Sequence, residues 1–402
     1  MVGSELEREG IKWRLRRMVI HRHPVAIAIF GALLTAVLRW PGALNPDSVR
    51  QLEQARSFQF TDWHPPMMAL LWSVWPQPAF MLLLQVGLLW TGLFLIASTV
   101  DGKWRYAILA VGFSPIAVHY GGVIQKDSVL AAGMMVAAGC MAKGWRWAAA
   151  GVAILTSFVR VNAGFAVAPL IFRRRRLLWT PLVAVALALS VQMSARLVAE
   201  RTDVTKSLPL FDLAGIDHYS GGDRFPTGCY TPLFWDTLGE ERCDRMRWKI
   251  EPGKEWLGAI ASHPSAYLQH RIAQFNSGTF FLVPIAQQCV EAPDMHACPA
   301  SPVKEWVLKN ALFWPCVWLV VGALLLTLNI GRVASSICLS GLTYGGAYFF
   351  LGVASDFRYF YWTELAVQVA LVIAWSKGVP LKVPLLGGVL VAAMGYAARF
   401  ML

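Results

Sequence analysis

Five short segments of this chain carry side chains suited to acid–base chemistry or to holding an anion, and each sits at the edge of an apolar stretch. Asn45-Pro46-Asp47 opens a segment in which Val49, Leu52 and Ala55 recur every third residue. That pattern predicts a short amphipathic helix lying on a membrane surface, with Asn45 as its cap and Pro46 in its first turn. Asp47 then has two readings: an anion that complements the helix dipole, or a carboxylate held at the membrane–water boundary where it can take a proton. Asp62-Trp63-His64-Pro65-Pro66 precedes an apolar stretch of about a dozen residues, too short to span comfortably. His64 suits a base or a phosphate ligand, and equally a helix cap or a lipid headgroup contact.

The remaining three segments supply cations. Lys126-Asp127 joins two apolar stretches, and these neighbours need not pair with each other. A lysine there can hold a lipid phosphate or snorkel to headgroups. Arg160-Val161-Asn162 interrupts apolar sequence, where an arginine needs an anionic partner. That partner is an acid such as Asp127 or Asp356, or a substrate phosphate. Arg358 offers a planar fork that fits phosphate, with Tyr359 and Tyr361 adding amphipathic contacts. Interfacial Tyr and Arg are also ordinary membrane anchors.

The elements that must position these groups follow from composition. Of 402 residues, 56% are hydrophobic and 15% charged, and the mean hydropathy is +0.49. A soluble domain of this length cannot hide so much apolar surface, which points to lipid as the solvent and to an all-α polytopic membrane protein. Eleven transmembrane helices are predicted, at about 24–40, 79–99, 105–121, 127–142, 146–160, 162–172, 177–199, 304–328, 332–352, 359–376 and 381–401. The polar, basic residues 1–23 lead into a first span with no small-residue cleavage site, so that span is expected to be retained.

With the N-terminus cytoplasmic, alternation puts Lys103/Arg105, Lys143/Arg146, Arg173 to Arg176, Arg332 and Lys377/Lys382 on the cytoplasmic side. The net charge of +12 then reads as positive-inside loops rather than nucleic-acid binding. The opposite face receives residues 41–78 and a loop of roughly a hundred residues from Glu200 to Val303. Three regions result: 1–199 with the first outer loop, the outer loop 200–303, and the C-terminal helices 304–402. No internal repeat is evident. Cys140, Cys316 and Cys338 fall in spans and read as packing residues. Cys229, Cys243, Cys289 and Cys298 all fall in the large outer loop, an arrangement that suggests two disulfides. Of the three connectivities, the local pairing Cys229–Cys243 and Cys289–Cys298 is favoured; four reduced thiols is the alternative.

In order along the chain, an acid opening a surface helix, His64-Pro65-Pro66, Lys126-Asp127, Arg160-x-Asn162 and Arg358-Tyr359 resemble the GT-C glycosyltransferases. The similarity is to the bacterial branch of aminoarabinose transferases and protein mannosyltransferases. The stretch from Trp256 to Phe275, with His263-Pro264, Tyr267-Leu268 and Arg271, is similar to a helix in the outer loop of such proteins. The resemblance implies inverting transfer of a monosaccharide from a polyprenyl-phosphate carrier to a cell-envelope acceptor, at the periplasmic face of a bacterial inner membrane. That acceptor would be lipid A, an O-antigen unit, a protein or another glycan. Asp47 would be the base, with Lys126, Arg160 and Arg358 stabilising the leaving lipid phosphate. Relatives often carry Asp-Glu where this chain has Asp47-Ser48, so no cofactor is firmly implied. A divalent metal stays open, with Asp62 or Asp127 as the second carboxylate. A carrier or flippase for a lipid-linked sugar, a polysaccharide polymerase or ligase, and a structural membrane protein are the competing readings.

Overall fold

The computed structural model describes residues 23–172, 179–226, 228–233, 243, 253–283 and 302–400. Arg173 to Arg176, Cys289 and Cys298 lie outside the described residues. The architecture is all-α. The first part contains α1 (His23–Leu38), α2 (Pro46–Ser57), α3 (Met67–Trp72), α4 (Pro78–Ala97), α5 (Trp104–Val111) and α6 (Pro115–Gly121). Next come α7 (Lys126–Ala142), α8 (Arg146–Ser157), α9 (Gly164–Ile171) and α10 (Thr180–Val198). The segment 200–303 contributes α11 (Ser207–Ser220), α12 (Gly253–Ser262) and α13 (Pro264–Thr279). The last part holds α14 (Pro302–Lys309), α15 (Pro315–Leu326), α16 (Arg332–Leu351), α17 (Tyr361–Ser376) and α18 (Lys382–Phe400).

Among the described residues two helices, α4 and α10, are long and apolar enough to cross a membrane; α1 and α15 are apolar but shorter. Several expected spans are broken, and the breaks have identifiable causes. The stretch 105–121 divides into α5 and α6 at Ser114-Pro115, where the serine caps the second helix by accepting from Ala117 N. The stretch 304–328 divides into α14 and α15 at Pro315, the first residue of α15. Peripheral helices turn apolar side chains outward: Ile29, Phe30, Leu33 and Val37 on α1, Leu182, Leu189 and Met193 on α10, and Leu386, Val389 and Leu390 on α18 are exposed. Meanwhile Asp127, Arg271 and Glu364 are buried. Apolar outside and charged inside is the polarity expected where hydrocarbon is the solvent.

The interior is assembled around α7 and α17, most of whose residues are buried. Helix α7 packs closely on α4: a Cβ on Gly92 would come within 2.4 Å of the Met135 backbone, so the crossing requires that glycine. Pro169 inside α9 removes a donor and frees the Phe165 carbonyl. Thr343 Oγ1, on α16, donates to that carbonyl at 2.7 Å and so satisfies it across the helix interface.

Two short parallel ladders stitch the loops. β1 (Ala43–Leu44) pairs with β3 (Val123–Ile124), and β2 (Phe60–Thr61) pairs with β4 (Ala199–Glu200). The first ladder matters most here. It sets the segment before Asp47 against the segment before Lys126, and Gln85 Nε2 reinforces it by donating to the Gly121 and Val123 carbonyls.

Candidate functional site

Helix α2 begins as its sequence dictates. Asn45 Oδ1 accepts from Ser48 N at 2.8 Å, Pro46 sits in the first turn, and Asp47 follows. The buried stripe is offset from the expected one: Ser48, Gln51, Leu52 and Ala55 face inward while Val49 is exposed. The reason is tertiary, because Ser48 Oγ donates to the Ile124 carbonyl and rotates α2 to suit. Asn45 Nδ2 also reaches Gln125 Oε1 at 3.3 Å. These contacts carry Asp47 to the N-terminal end of α7.

There the ionisable groups converge from five separate segments. Lys126 Nζ lies 2.6 Å from His64 Nδ1, and His64 Nε2 lies 3.4 Å from Asp47 Oδ1. With Lys126 as an ammonium, which can only donate, Nδ1 accepts and the ring proton lies on Nε2, the nitrogen nearer Asp47. The other Asp47 oxygen accepts from Arg358 Nη2 at 3.1 Å. Arg358 Nε contacts Asp356 Oδ2 at 2.8 Å, and the Arg358 amide donates to Asp356 Oδ1 at 3.0 Å. Asp127 binds Arg160, with Nη1 at 2.8 Å from Oδ1, and Arg160 Nε donates to the Tyr348 hydroxyl at 2.8 Å. Arg160 also stacks over Tyr359, which lies parallel to Tyr348. The Asn162 side chain meets the same Tyr348 hydroxyl.

Of the two partners open to Arg160, the structure selects Asp127, and Asp356 goes to Arg358. Lys126 and Asp127, though adjacent, turn to different partners. Asp62 stands apart: its Oδ1 accepts from both the backbone and the hydroxyl of Thr202 at 2.6 Å, which ties the loop after α2 to the segment 200–303. Tyr361 also stays outside the cluster, packed against Tyr120 with its hydroxyl 3.4 Å from the Ala117 carbonyl. Tyr344 and Tyr348 join the site unannounced by any motif. They sit four residues apart on α16, a spacing that places both on one helix face.

Accessibility separates the acids. The Asp127 side chain is 3% exposed and that of Asp47 is 27%, so an incoming molecule reaches Asp47 first. Burial raises the Asp47 pKa, but the His64 hydrogen bond and the nearby Lys126, His64 and Arg358 outweigh it and hold the carboxyl well below its usual range. Burial and the Lys126 charge push His64 down to about 4 against the opposing pull of Asp47, so the imidazole is neutral at physiological pH. Asp47 is therefore an ionised acceptor clamped between a neutral donor and a guanidinium. Each carboxylate of the cluster faces a cation of the chain itself. Among the described residues no group of three His, Cys, Asp or Glu side chains is placed to hold a metal.

Of the predicted disulfides, Cys229 and Cys243 are joined, with their Cα atoms 5.6 Å apart. Cys140, Cys316 and Cys338 are free and buried. Compared with known proteins, the chain matches no family model, no curated protein and no solved structure.

Proposed function

We propose that this chain is an inverting glycosyltransferase of the outer membrane–water boundary, moving a monosaccharide from a polyprenyl-phosphate carrier to a cell-envelope acceptor. The observation that carries the reading is the contact between an accessible carboxylate and a guanidinium, Asp47 with Arg358 at 3.1 Å, with Lys126 and Arg160 close behind. In this reading Asp47 takes the proton of the acceptor hydroxyl as that oxygen attacks the anomeric carbon. The bond from that carbon to the phosphate oxygen breaks on the opposite face, and the polyprenyl phosphate leaves with the electron pair. Arg358 and Lys126 stabilise the charge that grows on it. The donor phosphate competes with Asp47 for Arg358, so donor binding would loosen the clamp on the base. His64, braced by Lys126, keeps its contact with the second Asp47 oxygen meanwhile.

The setting fits such a donor. Two helices long enough to cross a membrane, outward apolar faces on α1 and α18, and basic short loops that alternate to one side support a polytopic protein with a cytoplasmic N-terminus. The Cys229–Cys243 bridge supports an oxidising compartment for the outer segment, the periplasm of a bacterial inner membrane. No observation favours a carrier as strongly, since a carrier has no use for an accessible base beside the phosphate site.

The test is sugar transfer in membranes carrying the wild type or Asp47→Asn, with polyprenyl-phosphate-linked sugars as donors and envelope fractions as acceptors. Loss of a general base is expected to lower transfer by about 10²- to 10⁴-fold. Unchanged transfer by the mutant removes Asp47 as the base. Movement of the lipid-linked sugar across vesicles without transfer replaces this reading with a carrier.

A further inference from the structure

A second cluster of buried charge lies in the outer segment, away from Asp47, and the transfer chemistry makes no use of it. Helices α11 and α13 pack together around Asp212, His270 and Arg271, none of which has exposed surface. Asp212 Oδ1 lies 2.5 Å from Arg271 Nη2 and 3.1 Å from His270 Nε2, and Oδ2 accepts from Trp256 Nε1 at 2.7 Å. The Tyr230 hydroxyl is 2.8 Å from His270 Nδ1. Burial pushes the His270 pKa down, further than the Asp212 hydrogen bond raises it. A buried ion pair returns little net stability compared with apolar residues of the same volume. A cluster this costly is better explained by what it grips.

What it grips is the strap that leads to Arg358. Arg271 Nη1 donates to the Gly352 carbonyl at 2.7 Å, where α16 ends. Gln274, on the same face of α13, reaches the Ala354 carbonyl at 3.4 Å. The Ser355 amide donates to the Leu233 carbonyl at 2.6 Å, close in sequence to the Cys229–Cys243 bridge. Next in the chain is Asp356, which fixes Arg358 through its amide and its guanidinium. The outer segment thus holds the backbone at 352, 354 and 355 immediately before the arginine that meets Asp47.

We propose that Arg271, braced by Asp212, is a positioning residue that sets Arg358 against Asp47, so that the outer segment governs the anion-binding arm of the site. The geometric claim stands alone, and its consequence for ligand binding rests on the transferase reading. Arg271→Lys keeps a charge for Asp212, but one ammonium cannot reproduce the planar fork that serves Asp212 and Gly352 together. The measurement is binding of polyprenyl phosphate to the purified full chain in lipid nanodiscs, as a double-mutant cycle with Arg358→Gln. Arg271→Lys is expected to weaken binding about tenfold when Arg358 is present and to add nothing in the Arg358→Gln background. Equal losses in both backgrounds overturn the proposal. Gln274→Met leaves the ion pair intact and serves if Arg271→Lys does not fold. It is expected to weaken binding about threefold with the same non-additivity, and no effect counts against the proposal. If the wild type does not bind polyprenyl phosphate, the transferase reading fails, and the structure of whichever variant folds decides the positioning claim. An Arg358 that leaves Asp47 and Asp356 supports it; an Arg358 in place overturns it.

Discussion

The cluster around Asp47 and the cluster around Asp212 use the same residue types to different ends. In the first, Asp47 and Arg358 keep 27% and 18% of their side-chain surface, and the contacts to Asp47 lie at 3.1 and 3.4 Å. In the second, Asp212, His270 and Arg271 have none, and Asp212 is held at 2.5 and 2.7 Å by Arg271 and Trp256. A partly exposed, loosely held ion pair can trade its partner for a ligand, because water and the ligand offset the desolvation that a lost contact would cost. A sealed pair cannot, since removing one partner leaves a charge uncompensated in a dry interior. The first cluster is therefore suited to binding and chemistry, and the second to fixing geometry.

That contrast can be broken most directly by stability. Asp212→Ala is expected to cost about 3–5 kcal/mol, as for other broken buried pairs. Asp47→Ala should cost less, because its pair is only partly buried and water can reach the arginine left behind. Thermal unfolding of the two variants in one detergent measures the difference, and similar losses would erase the distinction drawn here.

Acid titration gives a smaller and more specific effect. His64 is pushed down to about 4 from an ordinary 6.5, so between those values the unfolded chain carries a proton that the folded chain lacks. Stability must then rise with pH through that window and be lost as pH falls from about 6.5 toward 4, by up to one proton's worth of slope. Asp47, whose pKa is depressed in the fold, contributes stability that disappears at still lower pH. Unfolding curves for wild type and His64→Gln from pH 7 to 4 should differ in slope by that one proton; parallel curves would mean His64 is not the neutral bridge.

The smallest effect is expected at Asp62. Its carboxylate serves the Thr202 contact, so Asp62→Asn should lower stability by about 1 kcal/mol. Sugar transfer by Asp62→Asn should stay within about twofold of wild type, in contrast to Asp47→Asn. A loss of transfer comparable to that of Asp47→Asn would place Asp62 in the chemistry after all.

Much of the site could be read from residue types, because its members occupy a few positions where charge interrupts apolar sequence. Asp47, His64, Lys126, Asp127, Arg160, Asn162, Arg358 and Tyr359 come together, and so does Asp356, an acid already recognisable as a partner for arginine. Tyr344 and Tyr348 could not be read this way. Tyrosines on an apolar helix look the same whether they meet lipid or an arginine, and only the packing of α16 on α7 and α9 makes the choice. Asp62 resembled Asp47 in type and setting, and it was separated by the β2–β4 ladder, a pairing between segments more than a hundred residues apart.

Local sequence determined what local physics controls: the Asn45 cap, the helix breaks at Pro115 and Pro315, the apolar helices, and the cost of every charge placed among them. Tertiary structure decided the partners. Charge attraction is nearly indifferent to sequence order, so which acid faces Arg160, which nitrogen of His64 carries the proton and which strap carries Arg358 depend on how α2, α7, α13 and α16 pack.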